Sequence, residues 1–281
     1  MSGLHCVRSG DGPPVVWLHA GAGSHLQWLP HFHRFAARYT CLAPDLFGHG
    51  ASPMPSGVTA ATAVARQVAA LDELLATLDA PAHLVGHSYG ATMALAVALA
   101  HPARVASLLL VEPPLFRLLA APADAPLLAE VERVELAATM ALNAGDPMRA
   151  SEIFSTYWSG PTLWEALPAV FRRALADGAA ARHRVGIAAM FHFELPDDAP
   201  ARLGARPITL VGGDLSPAPA RRILTRLQAR LPTAVRVVVE GAGHLLPSTH
   251  VAAFQGALGA HLERAVAGAG AARGDAQAAA R

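Results

Sequence analysis

The 281-residue chain is 53% hydrophobic and only 15% charged, a balance that allows a large buried core and excludes a disordered chain. Its 22 basic residues against 21 acidic ones leave a net charge of +1, with no basic run that would track a nucleic-acid backbone. All of the basic residues are arginine, so lysine chemistry is excluded: no Schiff base, no pyridoxal phosphate anchor, no phosphate-loop lysine.

The start, M-S-G-L-H-C-V-R-S-G, lacks the apolar run of a secretory signal. Apolar stretches are broken by His, Pro or Gly before the ~18 residues of a membrane span. The expectation is a cytoplasmic protein with neither a membrane nor a nucleic-acid partner. Cys6 and Cys41 lie in strand-like runs and read as apolar fillers, not as a disulfide framework.

Along the chain, Leu4–Arg8, 14–19 (P-V-V-W-L-H) and 39–43 (Y-T-C-L-A) predict strands, followed by 82–87 and 105–111. Two more come late, at 207–212 (P-I-T-L-V-G) and 235–240 (V-R-V-V-V-E). Helical patterns fall near 25–37, 60–78, 89–100, 218–230 and 247–266. Short apolar runs separated by helices need crossover connections, which implies an α/β fold with a mostly parallel twisted sheet flanked by helices. The alternation stops over 113–206, where helical segments carry scattered large residues such as Phe116, Phe154, Trp158 and Phe191. That stretch reads as a helical cap inserted between two strands. Residues 1–112 and 207–266 then form the core, and 267–281, without large apolar residues, is expected to fray.

Residues 86–90 read G-H-S-Y-G, with a strand before and a helix after. A sharp strand-to-helix turn would hold Ser88 in a strained conformation above the sheet, and Gly86 and Gly90 would leave room for close packing. Three further motifs accompany it: H-A-G-A-G (19–23), P-D-L-F-G-H-G-A-S (44–52) and G-A-G-H (241–244). In this order and spacing the chain resembles the α/β-hydrolase family over nearly its whole length. The resemblance implies a mostly parallel eight-stranded sheet and a serine triad. Only about a dozen residues precede the V-V-W-L-H strand, so the first edge strand is expected to be missing.

His244, after V-V-V-E and a Gly-Ala-Gly turn, matches the family's catalytic histidine, the base that would take the Ser88 proton. The acid has two candidates. In L-V-G-G-D-L-S-P, Ser216 stands where the family usually has its aspartate, and Asp214 comes two residues early. Glu112, at the tip of L-L-L-V-E-P-P, occupies an alternative acid position that some members use, and it is the preferred candidate. A tetrahedral intermediate needs two fixed donors: the N–H of Tyr89 and one from the loop after His19, Gly21 first and Ala22 next. His19, Phe116, Trp158 and Phe191 are candidate substrate contacts, with His19 equally suited to bracing its loop. His31 and His33 fall on an expected surface helix without a third ligand, so no metal is expected, and no cofactor.

The expected reaction is cleavage of an ester, thioester or lactone of a small molecule with an apolar acyl group. Carbon–carbon bond hydrolysis, cyclisation or acyl transfer share the same motifs, and a binding protein without turnover would explain a displaced acid. Epoxide hydrolases and dehalogenases use an aspartate nucleophile where Ser88 stands. The oligomeric state is not legible in the sequence.

Overall fold

The computed structural model describes residues 3–183, 186 and 188–279. Among them seven strands form one sheet in the order β1-β3-β2-β4-β5-β6-β7. The strands are β1 (Cys6–Ser9), β2 (Pro14–Leu18), β3 (Thr40–Pro44), β4 (Ala82–His87), β5 (Val105–Val111), β6 (Ile208–Gly213) and β7 (Val235–Val239). Only β1 runs antiparallel, against β3; every other pairing is parallel. β2, β3, β4 and β6 are buried at every residue, as helices on both faces of a parallel sheet require. The resemblance implies eight strands; the described residues form seven, with β1 at one edge.

The helices of the core are α1 (Leu29–Phe35), α2 (Ala60–Leu75) and α3 (Tyr89–Ala100). Between β5 and β6 comes a helical insertion: α4 (Ala125–Asn143), α5 (Pro147–Ser159), α6 (Pro161–Ala166), α7 (Ala169–Ala176), α8 (Ala179–Arg182), α9 (Ala188–His192) and α10 (Ala199–Leu203). The chain closes with α11 (Ala218–Arg230), α12 (Leu246–Thr249) and α13 (Val251–Ala279). The stretch 267–281, expected to fray, therefore continues as helix as far as Ala279. No described helix is long and apolar enough to cross a membrane.

α3 is buried at all positions but its last, which explains a sequence apolar all round instead of on one face. Its alanines let it lie close against the sheet, and the approach is closest at its start. A Cβ on Gly90 would stand 2.2 Å from the Leu18 carbonyl oxygen, and one on Gly86 would stand 2.5 Å from the Ala91 Cα. Both obstacles are backbone, so neither can swing aside. Gly90→Ala is expected to push α3 off β2 and to destabilise the fold by about 3 kcal/mol or more. Urea denaturation of the purified variant would read this, and an unchanged midpoint would show that the helix start is not packed as described.

One helix departs from expectation. His31 of α1 is buried, not on the surface: its ring lies parallel to Trp17 at 6.0 Å and edge-on to Phe254 at 4.9 Å. His33, two residues on, stays exposed.

Candidate active site

The register of the sheet brings the chemistry to one edge. His87 of β4 pairs with Val111 of β5, and Val111 pairs with Val211 of β6, so Ser88 and Glu112 leave the sheet side by side. The Ser88 N–H still bonds to Val111 O at 2.8 Å, and the Glu112 N–H to Val211 O at 3.1 Å. Both residues then turn into positive φ, Ser88 at 52° and Glu112 at 44°. They are the two described non-glycine residues in that region, a conformation that side chains with a Cβ adopt at a cost and that clusters at functional sites. Ser88 is half-buried and directly precedes α3, so its side chain stands at the positive end of that helix.

His244, in the loop after β7, is joined to Glu112 by a 2.6 Å contact between Nδ1 and Oε2. The other carboxylate oxygen accepts from the Gly213 N–H at 2.8 Å and from the Ser216 hydroxyl at 2.5 Å. Burial works against the charge on Glu112, but the bonds from His244, Ser216 and Gly213 outweigh it and hold the carboxyl below its ordinary range. Asp214 is exposed on the far side of the same turn. Ser216, at the position where the resemblance places the usual acid, donates its hydroxyl to Glu112. Among the described residues Ser88 Oγ makes no hydrogen bond.

A second layer holds these groups still. His87 donates from Nε2 to the His244 carbonyl at 2.9 Å and accepts from Gln27 Nε2 at 3.0 Å. The Gln27 carbonyl oxygen accepts the Ala20 N–H at 3.1 Å, which ties the glycine-rich loop to the same chain of bonds. Burial, with the neighbouring His244 adding to it, pushes His87 down to about 3, so the ring stays neutral and keeps one donor and one acceptor. His19 is likewise neutral: its Nδ1 donates to Ala20 O and its Nε2 accepts the Leu46 N–H. Both ring nitrogens are spoken for and the residue is fully buried, so His19 braces the loop and does not meet a substrate. His49, from the G-H-G turn, places Nε2 2.6 Å from the Gly21 carbonyl oxygen and fixes that peptide.

Ser88, Gly21, Ala22 and Tyr89 border one cavity, closed above by Leu142, Phe154, Leu175 and Met190 of the insertion. Tyr89 is the first residue of α3, so its N–H has no acceptor within the helix. Phe116, Trp158 and Phe191 do not line the cavity as expected. Trp158 covers the His244 ring at 4.7 Å, and Phe116 packs behind it, 6.3 Å from Trp158 and 4.6 Å from Phe191. They form a wall that shields the imidazole from water.

Away from the cavity, His5, His25 and Asp45 bring possible metal-ligand atoms within 4.8 Å of one another. Asp45 already accepts the N–H groups of His25 and Ala51 along with both imidazoles, so hydrogen bonding accounts for the cluster.

A family model described as "Alpha/beta hydrolase family" matches residues 15–255. The lipase LipV of Mycobacterium tuberculosis is 35% identical over 111 residues, 39% of this chain and 41% of that protein. An epoxide hydrolase of Caballeronia sordidicola is 34% identical over 106 residues, 36% of this chain and 31% of its own length. The chain spans less than half the length of these curated relatives. A hydrolase from Pseudomonas aeruginosa superposes with a TM-score of 0.74 at 24% identity, over 92% of this chain and 94% of that one. The carboxylesterase CesB of Bacillus subtilis does so with a TM-score of 0.71 at 19% identity, over 92% and 87%. With the family matched over most of its length and the fold shared end to end, the chain is a member of the alpha/beta hydrolase family.

Proposed function

We propose that the protein is a serine hydrolase that cleaves an ester, thioester or lactone with a short apolar acyl group. The observation that carries this reading is the convergence at one sheet edge of a strained, half-buried serine and a histidine held by a buried carboxylate. Ser88 Oγ attacks the carbonyl carbon while His244 Nε2 takes its proton. Glu112 fixes the tautomer with the proton on Nδ1 and stabilises the imidazolium as it forms. The negative oxygen of the tetrahedral intermediate is held by the N–H of Tyr89 and one from Gly21 or Ala22. The carbon–oxygen bond to the leaving group breaks, His244 hands it the proton, and water then releases the acyl group by the same steps. The helices of the insertion supply the acyl site. The space they enclose is about 70 Å³, roughly half of a cavity that holds benzene.

Intact mass after exposure to a fluorophosphonate tests the nucleophile. One adduct is expected on the wild-type protein and none on Ser88→Ala, with p-nitrophenyl acetate and butyrate turned over far faster than the octanoate. Absence of the adduct from the wild-type protein would sink the reading, and efficient turnover of the long chain would sink the acyl-site assignment.

A further inference from the structure

The cavity has one charged side chain that the reaction above does not use. Arg182, at the end of α8, borders the space in front of Ser88 and also a smaller hollow beside it, between α2 and the turn after β3. His49, Tyr89 and Gly186 border both spaces, so the two adjoin. The Arg182 guanidinium donates to the backbone carbonyls of Asp177, at 2.8 Å, and of Leu175. No described carboxylate comes within salt-bridge distance of it, and the Asp177 side chain acts on it only through space. Glu135 is taken by His183, which borders the cavity, at 2.7 Å. Burial lowers the pKa of Arg182 from its ordinary value, and its charge is felt at His49, where it adds to burial in lowering the pKa of that ring.

A second, independent feature faces the same hollow. Gln67 of α2 is 1% exposed. Its carbonyl oxygen accepts the Phe47 N–H at 2.8 Å, but its Nε2 has no partner among the described residues. A buried amide donor without an acceptor costs about as much as a lost hydrogen bond, and the half-buried Arg182 has its bonds to backbone carbonyls but no described carboxylate to balance its charge. Both are relieved if an acceptor with negative charge enters. The hollow encloses about 10 Å³, on the order of one water or one oxygen atom. A single water would satisfy Gln67 but leave the guanidinium uncompensated.

We propose that Arg182 and Gln67 form a subsite for a carboxylate on the substrate, one oxygen meeting Gln67 Nε2 in the hollow and the other facing Arg182. This rests on the serine-hydrolase reading of the adjoining cavity but replaces the wholly apolar acyl group by a short acyl chain ending in a carboxylate: half-esters of small dicarboxylic acids, or lactones that carry a free carboxylate.

The test compares monoethyl malonate, succinate and glutarate with their diethyl esters. For at least one chain length, kcat/KM for the half-ester should exceed that for the diester by about tenfold or more. That ratio should collapse toward one, mainly through KM, in Arg182→Gln and in Gln67→Glu. The second variant keeps the acceptor for the Phe47 N–H and sets a negative charge against the carboxylate, so it decides the matter if Arg182→Gln fails to fold. A ratio near one for every length in the wild type, or one that survives both substitutions, overturns the proposal. If the wild type turns over no ester and forms no fluorophosphonate adduct, the hydrolase reading fails by itself. The subsite is then read by calorimetry on Ser88→Ala, where a half-ester should bind about tenfold tighter than its diester and equal binding overturns it.

Discussion

Glu112→Gln is expected to lower kcat by roughly 10⁴-fold, the size of loss seen when the acid of a serine triad becomes an amide, while Asp214→Asn stays within roughly twofold of the wild type. The size follows from the number of donors that converge on one carboxylate. Oε2 faces His244 Nδ1, and Oε1 takes the Gly213 N–H and the Ser216 hydroxyl. An amide has a single oxygen. If that oxygen turns to Gly213 and Ser216, the NH₂ group meets His244 and forces the proton onto Nε2, where it cannot accept from Ser88. If it turns to His244 instead, the NH₂ group is driven against the buried Gly213 N–H, at a cost in stability. The first arrangement loses the base at Nε2; the second keeps the tautomer but loses the negative charge that stabilises the imidazolium. Hydrolysis of p-nitrophenyl acetate, with circular dichroism to verify the fold, checks both variants. A comparable loss in Asp214→Asn would assign the acid to the turn after β6 and displace Glu112.

The elements of this site that the sequence makes legible are those fixed by short-range geometry. G-H-S-Y-G predicts a turn with no room at its glycines, and the backbone contacts at Gly86 and Gly90 are the physical content of that spacing. Glu112 is legible because an acid at the tip of an apolar strand has a defined place on the sheet edge. What remains hidden depends on partners remote in the chain. His49 looks like part of a turn until its Nε2 reaches Gly21, 28 residues earlier. In H-F-H the two histidines are equivalent on paper. Trp17 and Phe254, both remote in the chain, join the nearby Trp28 in making His31 the buried one.

The insertion is the least legible region, for a related reason. Large aromatic residues invite assignment to a substrate wall, yet Phe116, Trp158 and Phe191 gain more by packing on one another and on His244. Of the insertion's named aromatic residues, Phe154 alone borders the cavity, with Leu142, Leu175, Met190 and an arginine that composition alone would place in solvent. How short helices rotate about their axes decides which residues face Ser88. No periodicity in a chain this rich in alanine encodes that choice strongly.

Acid is expected to unfold the protein in a pH window that belongs to its buried histidines and not to its carboxylates. Burial is the largest cause in each case: it pushes His19, His87 and His261 down to about 3, and His31 and His83 down to about 4, from an ordinary 6.5. His83 and His261 are further bound into one buried chain through Ser107, with Thr209 beyond. Once unfolded, each of these rings takes up a proton below pH 6.5, whereas the native ring does not until its depressed pKa is reached. Unfolding therefore binds protons, and stability falls as pH falls through this range. Each ring contributes a loss of about 2 kcal/mol by about pH 5, and five together approach the whole stability of an ordinary domain. The carboxylates Glu112 and Asp45 have the opposite charge but the same sign of effect, and their window lies lower. Their native pKa values are depressed, so their stabilisation is complete above about 4.5 and is lost only below it. Between pH 6.5 and about 4.5 the slope of stability against pH thus counts histidines. Urea denaturation across that range should show an uptake of several protons, each worth about 1.4 kcal/mol per pH unit. His31→Phe, among aromatic neighbours, should lower the count by about one and make the protein more resistant to acid. An uptake below one proton would mean that these rings are reached by water in the native state.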